Sequence, residues 1–199
     1  MNVNKTLTMR SISPTLNTKI DITATAVTNI TIGGDLVGDG NSTINGGSAG
    51  VITLKGVNNS LKTLSGTGST VIYAGTSKQN MFASTNYQKL TINNSSGVTM
   101  KGASTVISAL TLTSGRLQIG DYNLALASPN ASNSATTSSW IHTDGSGTVT
   151  SMVGGTYKYY VGNDTHAQTI QMNNSALFGV NSVRFGTSSI SKPASAVGS

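Results

Sequence analysis

Aliphatic residues recur at a fixed step of 20 along much of this chain. Counting from Ile12, one column holds an apolar side chain six times in succession: Ile12, Ile32, Ile52, Ile72, Ile92 and Leu112. A second column at the same step is apolar except at two serines: Ala24, Ile44, Leu64, Ser84, Ser104 and Leu124. A repeat of this length is typical of a solenoid, in which each repeat forms one coil and buries its apolar face against its neighbours.

Short apolar–polar–apolar runs within each repeat predict β-strands. The pattern is clearest in Leu90-Thr91-Ile92, Leu110-Thr111-Leu112 and Leu124-Ala125-Leu126, and it is the period-2 pattern of a strand with one buried face. Gly, Asn and Ser fill the segments between the runs and favour tight turns. No window has a helical period, because Gly or Asn interrupts every candidate. We therefore predict an all-β chain.

Strands that recur without an intervening helix can stack in parallel, with each coil about 4.8 Å from the next. Parallel crossovers are right-handed in nearly all proteins. The sequence thus predicts a right-handed parallel β-helix over residues 1–127, with about five or six coils. The Ile/Leu column is expected inside, and the Thr residues and Asn turns outside.

The repeat fades after Leu126, and three further segments follow. Residues 128–139 are polar and predict an excursion or linker. Residues 140–187 contain longer, more aromatic runs joined by Gly turns, which favours antiparallel hairpins in a β-rich C-terminal cap. A cap is expected because a bare terminal coil would expose its edge. Residues 188–199 are expected to be a mobile tail.

Composition excludes several functional classes. The chain has no Cys, so neither disulfides nor Cys-ligated metal sites are possible, and only 9% of its residues are charged. The formal charge is +6, but the basic residues are scattered, whereas nucleic-acid binding needs a cluster. No apolar run is long enough to span a membrane. We therefore expect neither nucleic-acid binding nor membrane insertion.

The chain starts without a targeting segment, because Met1 to Thr6 contain no apolar core of a signal peptide. The protein is then either cytosolic or a piece of a longer exported one. Its abundance of Thr, Ser, Asn and Gly, with few charges, favours an extracellular, cell-surface location.

Two motifs resemble known families. Residues 87–100 (YQKLTINNSSGVTM) and 110–117 (LTLTSGRL) resemble a repeat of large secreted surface proteins of Bacteroidetes-type bacteria, and residues 140–162 are similar to the block that follows it. Residues 36–47 (LVGDGNSTINGG) resemble an early coil of pectin-lyase-like β-helices. The resemblance implies a β-helical spacer or adhesive stalk outside the cell, and it says little about activity.

Asp35, Asp39 and Asn41 are the candidate metal ligands, because they lie together in a Gly-rich turn. Calcium prefers six to eight oxygen ligands, of which two local carboxylates supply few. Asp is also a preferred turn residue, so a purely structural role is the main alternative. We expect no cofactor, with calcium as the one possible exception.

Four aromatic residues form the candidate ligand site: Trp140, Tyr157, Tyr159 and Tyr160. Alternation along a strand puts Tyr157 and Tyr159 on one face, which could stack on sugar rings. The alternative is that these side chains fill the core of the cap.

No catalytic motif emerges, so no catalytic residue is assigned. All six acidic residues are Asp, and none forms the recognisable pair that a polysaccharide hydrolase needs. His142 and His166 lack a metal-ligand spacing.

The sequence favours a non-enzymatic extracellular module, a stalk or filament-building unit of a bacterial adhesin. Such a module is expected to contact copies of itself end to end or neighbouring domains. The alternatives are a carbohydrate-binding adhesin domain that binds surface glycans and, less favoured, a polysaccharide lyase.

Overall fold

A computed structural model describes residues 1–10, 18–22, 29–128, 138–151, 155–165, 167–174 and 181–183. These residues form 21 strands and no helix. Accordingly, none of them belongs to a helix able to cross a membrane. The predicted all-β class is confirmed.

The strands are numbered in chain order and lie in four sheets. The nine-stranded sheet contains β1 (Asn2–Val3), β4 (Asn29–Ile32), β7 (Val51–Leu54), β10 (Thr70–Tyr73), β12 (Tyr87–Asn93), β14 (Ser104–Ser114), β16 (Leu124–Leu126), β18 (Val149–Ser151) and β21 (Asn181–Val183). The six-stranded sheet contains β11 (Gln79–Met81), β13 (Val98–Met100), β15 (Leu117–Gln118), β17 (Ile141–His142), β19 (Gly155–Gly162) and β20 (Ala167–Asn174). The two three-stranded sheets contain β2 (Leu7–Met9), β5 (Leu36–Gly38) and β8 (Asn59–Ser60), and β3 (Thr18–Asp21), β6 (Ser42–Asn45) and β9 (Thr63–Ser65).

The order of strands within the sheets is that of a β-solenoid. Each strand pairs in parallel with the equivalent strand of the next coil, from β1 to β18 in the longest sheet. The stack has about six turns, with equivalent positions roughly 20 residues apart. β14 pairs on both sides: Ser104–Val106 pairs with β16, and residues from Val106 to Ser114 pair with β12, with register shifts near both ends. Strand pairing does not report handedness, so the right-handed coil stays a prediction.

The core columns differ from the column predicted at a constant step of 20. Two inward columns run through the longest sheet: Ile30, Ile52, Val71, Leu90 and Leu110, and beside them Ile32, Leu54, Tyr73, Ile92 and Leu112. All ten side chains are buried. The column predicted at a constant step of 20 takes residues from both observed columns, and its assignment of Ile72 to the core is wrong. Ile72 is instead half-buried on the outer face, paired with Thr53 and Thr91.

Unequal coil lengths explain this difference. From Ile32 to Leu112 the steps are 22, 19, 19 and 20 residues, so their mean matches the sequence period while single steps do not. Because side chains alternate along a strand, a slip of one residue moves a side chain to the other face. The second predicted column holds where it was tested, at Ile44–Leu64 and at Ser104–Leu124.

A tyrosine pair occupies one layer of the core. Tyr73 and Tyr87 are both fully buried, with 3.0 Å between their hydroxyl oxygens, and the Tyr87 hydroxyl donates to the Phe82 carbonyl at 2.7 Å. Burial raises the pKa of both phenols well above the ordinary value. The hydroxyls are therefore uncharged and mutually bonded, which allows two polar groups to lie in the core beside the Phe82 ring.

Antiparallel pairing occurs, among the described residues, at one end of the stack. β17 and β19 continue the parallel six-stranded sheet, and then β20 pairs antiparallel with β19. β21 likewise pairs antiparallel with β18. Most of the predicted polar excursion (residues 129–137), the predicted tail (188–199) and His166 lie outside the described residues.

The corrected register predicts that Ile92 and Ile72 respond differently to truncation. Ile92→Ala should lower the free energy of unfolding by about 2–5 kcal/mol, because it leaves a cavity between coils. Ile72→Ala should cost about 1 kcal/mol or less, because this side chain faces outward. Chemical denaturation of both variants measures the difference. Equal losses would mean that the register is wrong.

Candidate functional site

The candidate site is a polar groove on the outer face of the six-stranded sheet, which we call the sheet groove. It has a volume of about 390 Å³. Strands β13, β15 and β17 and the turns around them supply its lining, which includes Lys78, Ser96, Arg116, Gln118, His142 and Asp164. Side chains from five successive coils therefore meet at one surface.

Gln118 is the central contact of the sheet groove. Its Oε1 accepts hydrogen bonds from Lys78 Nζ at 2.7 Å and from Thr99 Oγ1 at 3.2 Å. Its Nε2 donates to Asp144 Oδ2 at 2.6 Å. Because a carboxylate can only accept, Asp144 fixes the orientation of the amide and directs its oxygen towards Lys78.

Arg116 is held on the floor of the groove by an aromatic ring. Its guanidinium carbon lies 4.3 Å from the centroid of the Trp140 ring, a cation–π distance. Trp140 Nε1 donates to the Asn163 carbonyl at 3.1 Å, which fixes the ring. Arg116 Nη1 lies 3.3 Å from Asp164 Oδ1, and the same oxygen lies 3.7 Å from Nε2 of the buried His142.

A buried amide network supports the turn that forms one wall of the groove. Gln79 is fully buried; its Nε2 donates to the Leu54 and Gly56 carbonyls, and its Oε1 accepts from the Gly75 N–H and from Asn94 Nδ2. The Asn94 side chain in turn bonds Ser77 and Ser96. Every polar group of Gln79 is thus satisfied, and the turn at 94–97 is tied to the preceding coil.

Gly115 lets the chain pass close to that turn. Its φ is +78°, in the left-handed region that favours glycine. A Cβ at this position would collide with the Asn94 carbonyl oxygen. The residue before Arg116 must therefore be glycine for both walls of the groove to keep their places.

Of the predicted aromatic site, Trp140 lies next to the sheet groove, in contact with Arg116. Trp140 is only 5% exposed and its ring is covered by Arg116. Tyr160 is half-buried on β19, one residue before Val161, which pairs with Ile141. Tyr157 and Tyr159 lie on the same strand and pair with Met172 and Ile170; their side chains are outside the description. Stacking of sugars on these aromatics stays a prediction.

Strand β5 (Leu36–Gly38) separates Asp35 from Asp39 and Asn41, so the predicted calcium ligands do not share one turn. Asp35 Oδ1 accepts from the Asn58 backbone N–H at 2.9 Å, which links two coils. Asp39 Oδ1 accepts from the Asn41 N–H at 2.9 Å, as in an Asx turn. Among the described residues, no three His, Asp or Glu side chains cluster closely enough to hold a metal ion.

Asp121 likewise joins two turns. The backbone N–H of Ser146 donates to its Oδ1 at 2.9 Å and the Ser146 hydroxyl donates at 3.0 Å. These two bonds, the backbone one first, lower the pKa of this exposed carboxyl. Asp121 therefore stays an acceptor that joins turns of successive coils.

Sequence reasoning missed the sheet groove itself, and four of its residues in particular: Lys78, Arg116, Gln118 and Asp164. A signal exists in the register. Outward residues of the six-stranded sheet form the row Asn80, Thr99, Gln118 and His142. This row becomes visible only once the unequal coil lengths are known.

Comparison with protein-family models, with curated proteins and with solved structures found no match to this chain. The assignment of a β-solenoid accordingly depends on the strand pairings.

Replacing Gln79 by Leu tests the amide network. The change leaves several buried groups without a partner, so the free energy of unfolding should fall by at least about 2 kcal/mol. Gln88→Leu is the matched control; Gln88 is half-buried, bonds Asn86 and should cost about 1 kcal/mol or less. Chemical denaturation gives both values. Similar losses would show that the buried network stabilises the fold no more than the half-buried hydrogen bond of Gln88.

Two glycine-to-alanine changes test the close approach at Gly115. Gly120 also has a positive φ, +57°, but a Cβ there would meet nothing within 4 Å. In both variants, alanine in the left-handed region lowers the free energy of unfolding by about 1–2 kcal/mol. Gly115→Ala should lower the melting temperature well beyond Gly120→Ala, because only Gly115→Ala adds a backbone collision. Equal shifts would contradict this packing.

Proposed function

We propose that this chain is a non-enzymatic structural module of an extracellular bacterial surface protein, a stalk or filament-building unit of an adhesin. The observation that supports this most is the continuous series of parallel pairings from β1 to β18. Hydrogen bonds between coils run along the stack, and the buried Ile and Leu columns pack along the same direction. Stability is then roughly a sum of contacts between neighbouring coils, which suits a rod-shaped spacer.

The extracellular location is supported by the sequence. The chain lacks Cys, has few charges, and resembles the repeat of Bacteroidetes-type secreted surface proteins at residues 87–100 and 110–117. The turn at 36–47 resembles pectin-lyase-like β-helices, which also supports a β-helix. Both resemblances point to a spacer or adhesive stalk.

The two ends of the stack differ, and this suggests how the module meets a partner. At the N-terminal end, β1, β2 and β3 each pair on one side within the described part of the chain. The other end carries the antiparallel strands β20 and β21. We propose that end-to-end contact, with a second copy or with a neighbouring domain, involves the N-terminal edge, because strands that pair on one side among the described residues can be a template for another strand.

Thr8 provides a test of this edge. Leu7 donates its N–H inward to the Asp35 carbonyl, so the N–H of the next residue, Thr8, faces the open side of β2. Thr8→Pro removes that donor and should weaken self-association about tenfold or more while the fold is kept. Analytical ultracentrifugation over a concentration series measures the association, with Thr8→Ala as control. A wild-type chain that stays monomeric throughout would contradict end-to-end contact between copies.

A second candidate function is carbohydrate binding by an adhesin domain, and the sheet groove favours it. Its amide, hydroxyl, guanidinium and carboxylate groups are those that bond sugar hydroxyls. A glycan array tests this candidate. The less favoured alternative, a polysaccharide lyase, is tested by an activity screen on acidic polysaccharides, in which we expect no turnover.

A further inference from the structure

We propose that the sheet groove binds an acidic saccharide and contacts its carboxylate or sulfate group through Lys78 and Arg116. This inference rests on the carbohydrate-binding candidate and narrows it to anionic sugars. It is independent of the stalk role, because the groove lies on the side of the stack and the proposed partner edge lies at its end.

The charge of Lys78 is the first observation. Its ammonium group is exposed at the groove and bonds the neutral amide oxygen of Gln118 at 2.7 Å. Within the described ranges, the ion pairs are Lys19–Asp21, Arg116–Asp164 and His142–Asp164, so Lys78 pairs with no carboxylate there. The nearby carboxylate of Asp144 bonds the other end of the Gln118 amide. Lys78 thus offers a positive charge, held in place, to an incoming anion.

The second cation, Arg116, is already oriented. Stacking on Trp140 fixes the guanidinium plane, so little side-chain entropy is lost when a ligand binds. Its one carboxylate contact among the described residues is a single 3.3 Å pair with Asp164, whose side chain is 82% exposed. Exposed pairs of this kind contribute about 0–1 kcal/mol. A ligand carboxylate can therefore replace Asp164 at little cost.

The walls of the groove indicate a hydroxyl-rich ligand. Beside the two cations lie the hydroxyls of Ser95, Ser96 and Ser138, and the lining has one aliphatic side chain, Val98. An apolar ligand would find little surface to cover here. The volume of about 390 Å³ lies near the small end of the range for ligand pockets and suits one or two sugar rings.

Substitution of Asp164 distinguishes competition with the ligand from a purely structural role of this residue. If Asp164 competes with the ligand for Arg116, then Asp164→Asn should tighten binding of an anion even though it removes a native ion pair. A residue needed only to shape the groove would weaken binding when changed. The direction of this effect is therefore informative.

The test is a calorimetric titration of the intact chain with four probes: a glucuronate-containing disaccharide, a sulfated galactose disaccharide, a neutral disaccharide and sodium sulfate. The proteins are wild type, Lys78→Gln, Asp164→Asn and, as matched control, Lys101→Gln, which changes an exposed lysine on the turn after β13. Circular dichroism checks that each variant is folded.

We expect one or both acidic disaccharides to bind, and the affinity to fall as salt is added. Lys78→Gln should weaken binding about fivefold to tenfold and Asp164→Asn should tighten it about threefold, whereas Lys101→Gln should have no effect. Preference for one acidic probe identifies the anionic group. Equal binding of the neutral disaccharide would overturn the proposal and leave the carbohydrate-binding candidate standing. Equal binding of sodium sulfate would overturn the saccharide part. No binding of any saccharide would overturn both.

Discussion

Backbone hydrogen bonds between successive coils are the constraint on which the rest of this structure depends. They set one register for each sheet, and that register decides which side chains enter the core and which meet on the outer face. The buried columns beginning at Ile30 and Ile32 follow directly from it. So does the groove, whose residues come from five coils and meet because their strands are paired in parallel.

The buried polar side chains of Gln79, Tyr73 and Tyr87 are hydrogen-bonded inside the stack. Gln79 uses both ends of its amide to join two segments of backbone, at 54–56 and at Gly75, and the side chain of Asn94. Tyr73 and Tyr87 bond each other in the core, against the ring of Phe82. These contacts fix turns and corners that aliphatic packing would leave variable. The turn at 94–97, one wall of the groove, is held in this way.

The period of the solenoid could be read from the sequence, whereas its register could not. Alternating runs such as Leu110-Thr111-Leu112 are local and identify strands. The length of each coil depends on how each turn bends, so a constant step misplaced Ile72. The groove was beyond sequence reasoning for a related reason: Arg116 and Trp140 belong to different coils. Their contact follows from the pairing of Leu117 with Ile141, which lie 24 residues apart, so a constant step of 20 does not predict it.

Disulfide trapping tests the stacked register most directly, because the chain has no Cys of its own. Thr53 and Ile72 are direct partners on adjacent parallel strands, where neighbouring strands lie about 4.8 Å apart, within reach of a disulfide. The Thr53→Cys/Ile72→Cys double variant should therefore oxidise readily to an intramolecular disulfide, while Ile52→Cys/Ile72→Cys, whose side chains face opposite sides of the sheet, should not. Efficient bridging of the second pair, with none in the first, would contradict the parallel stack in this register.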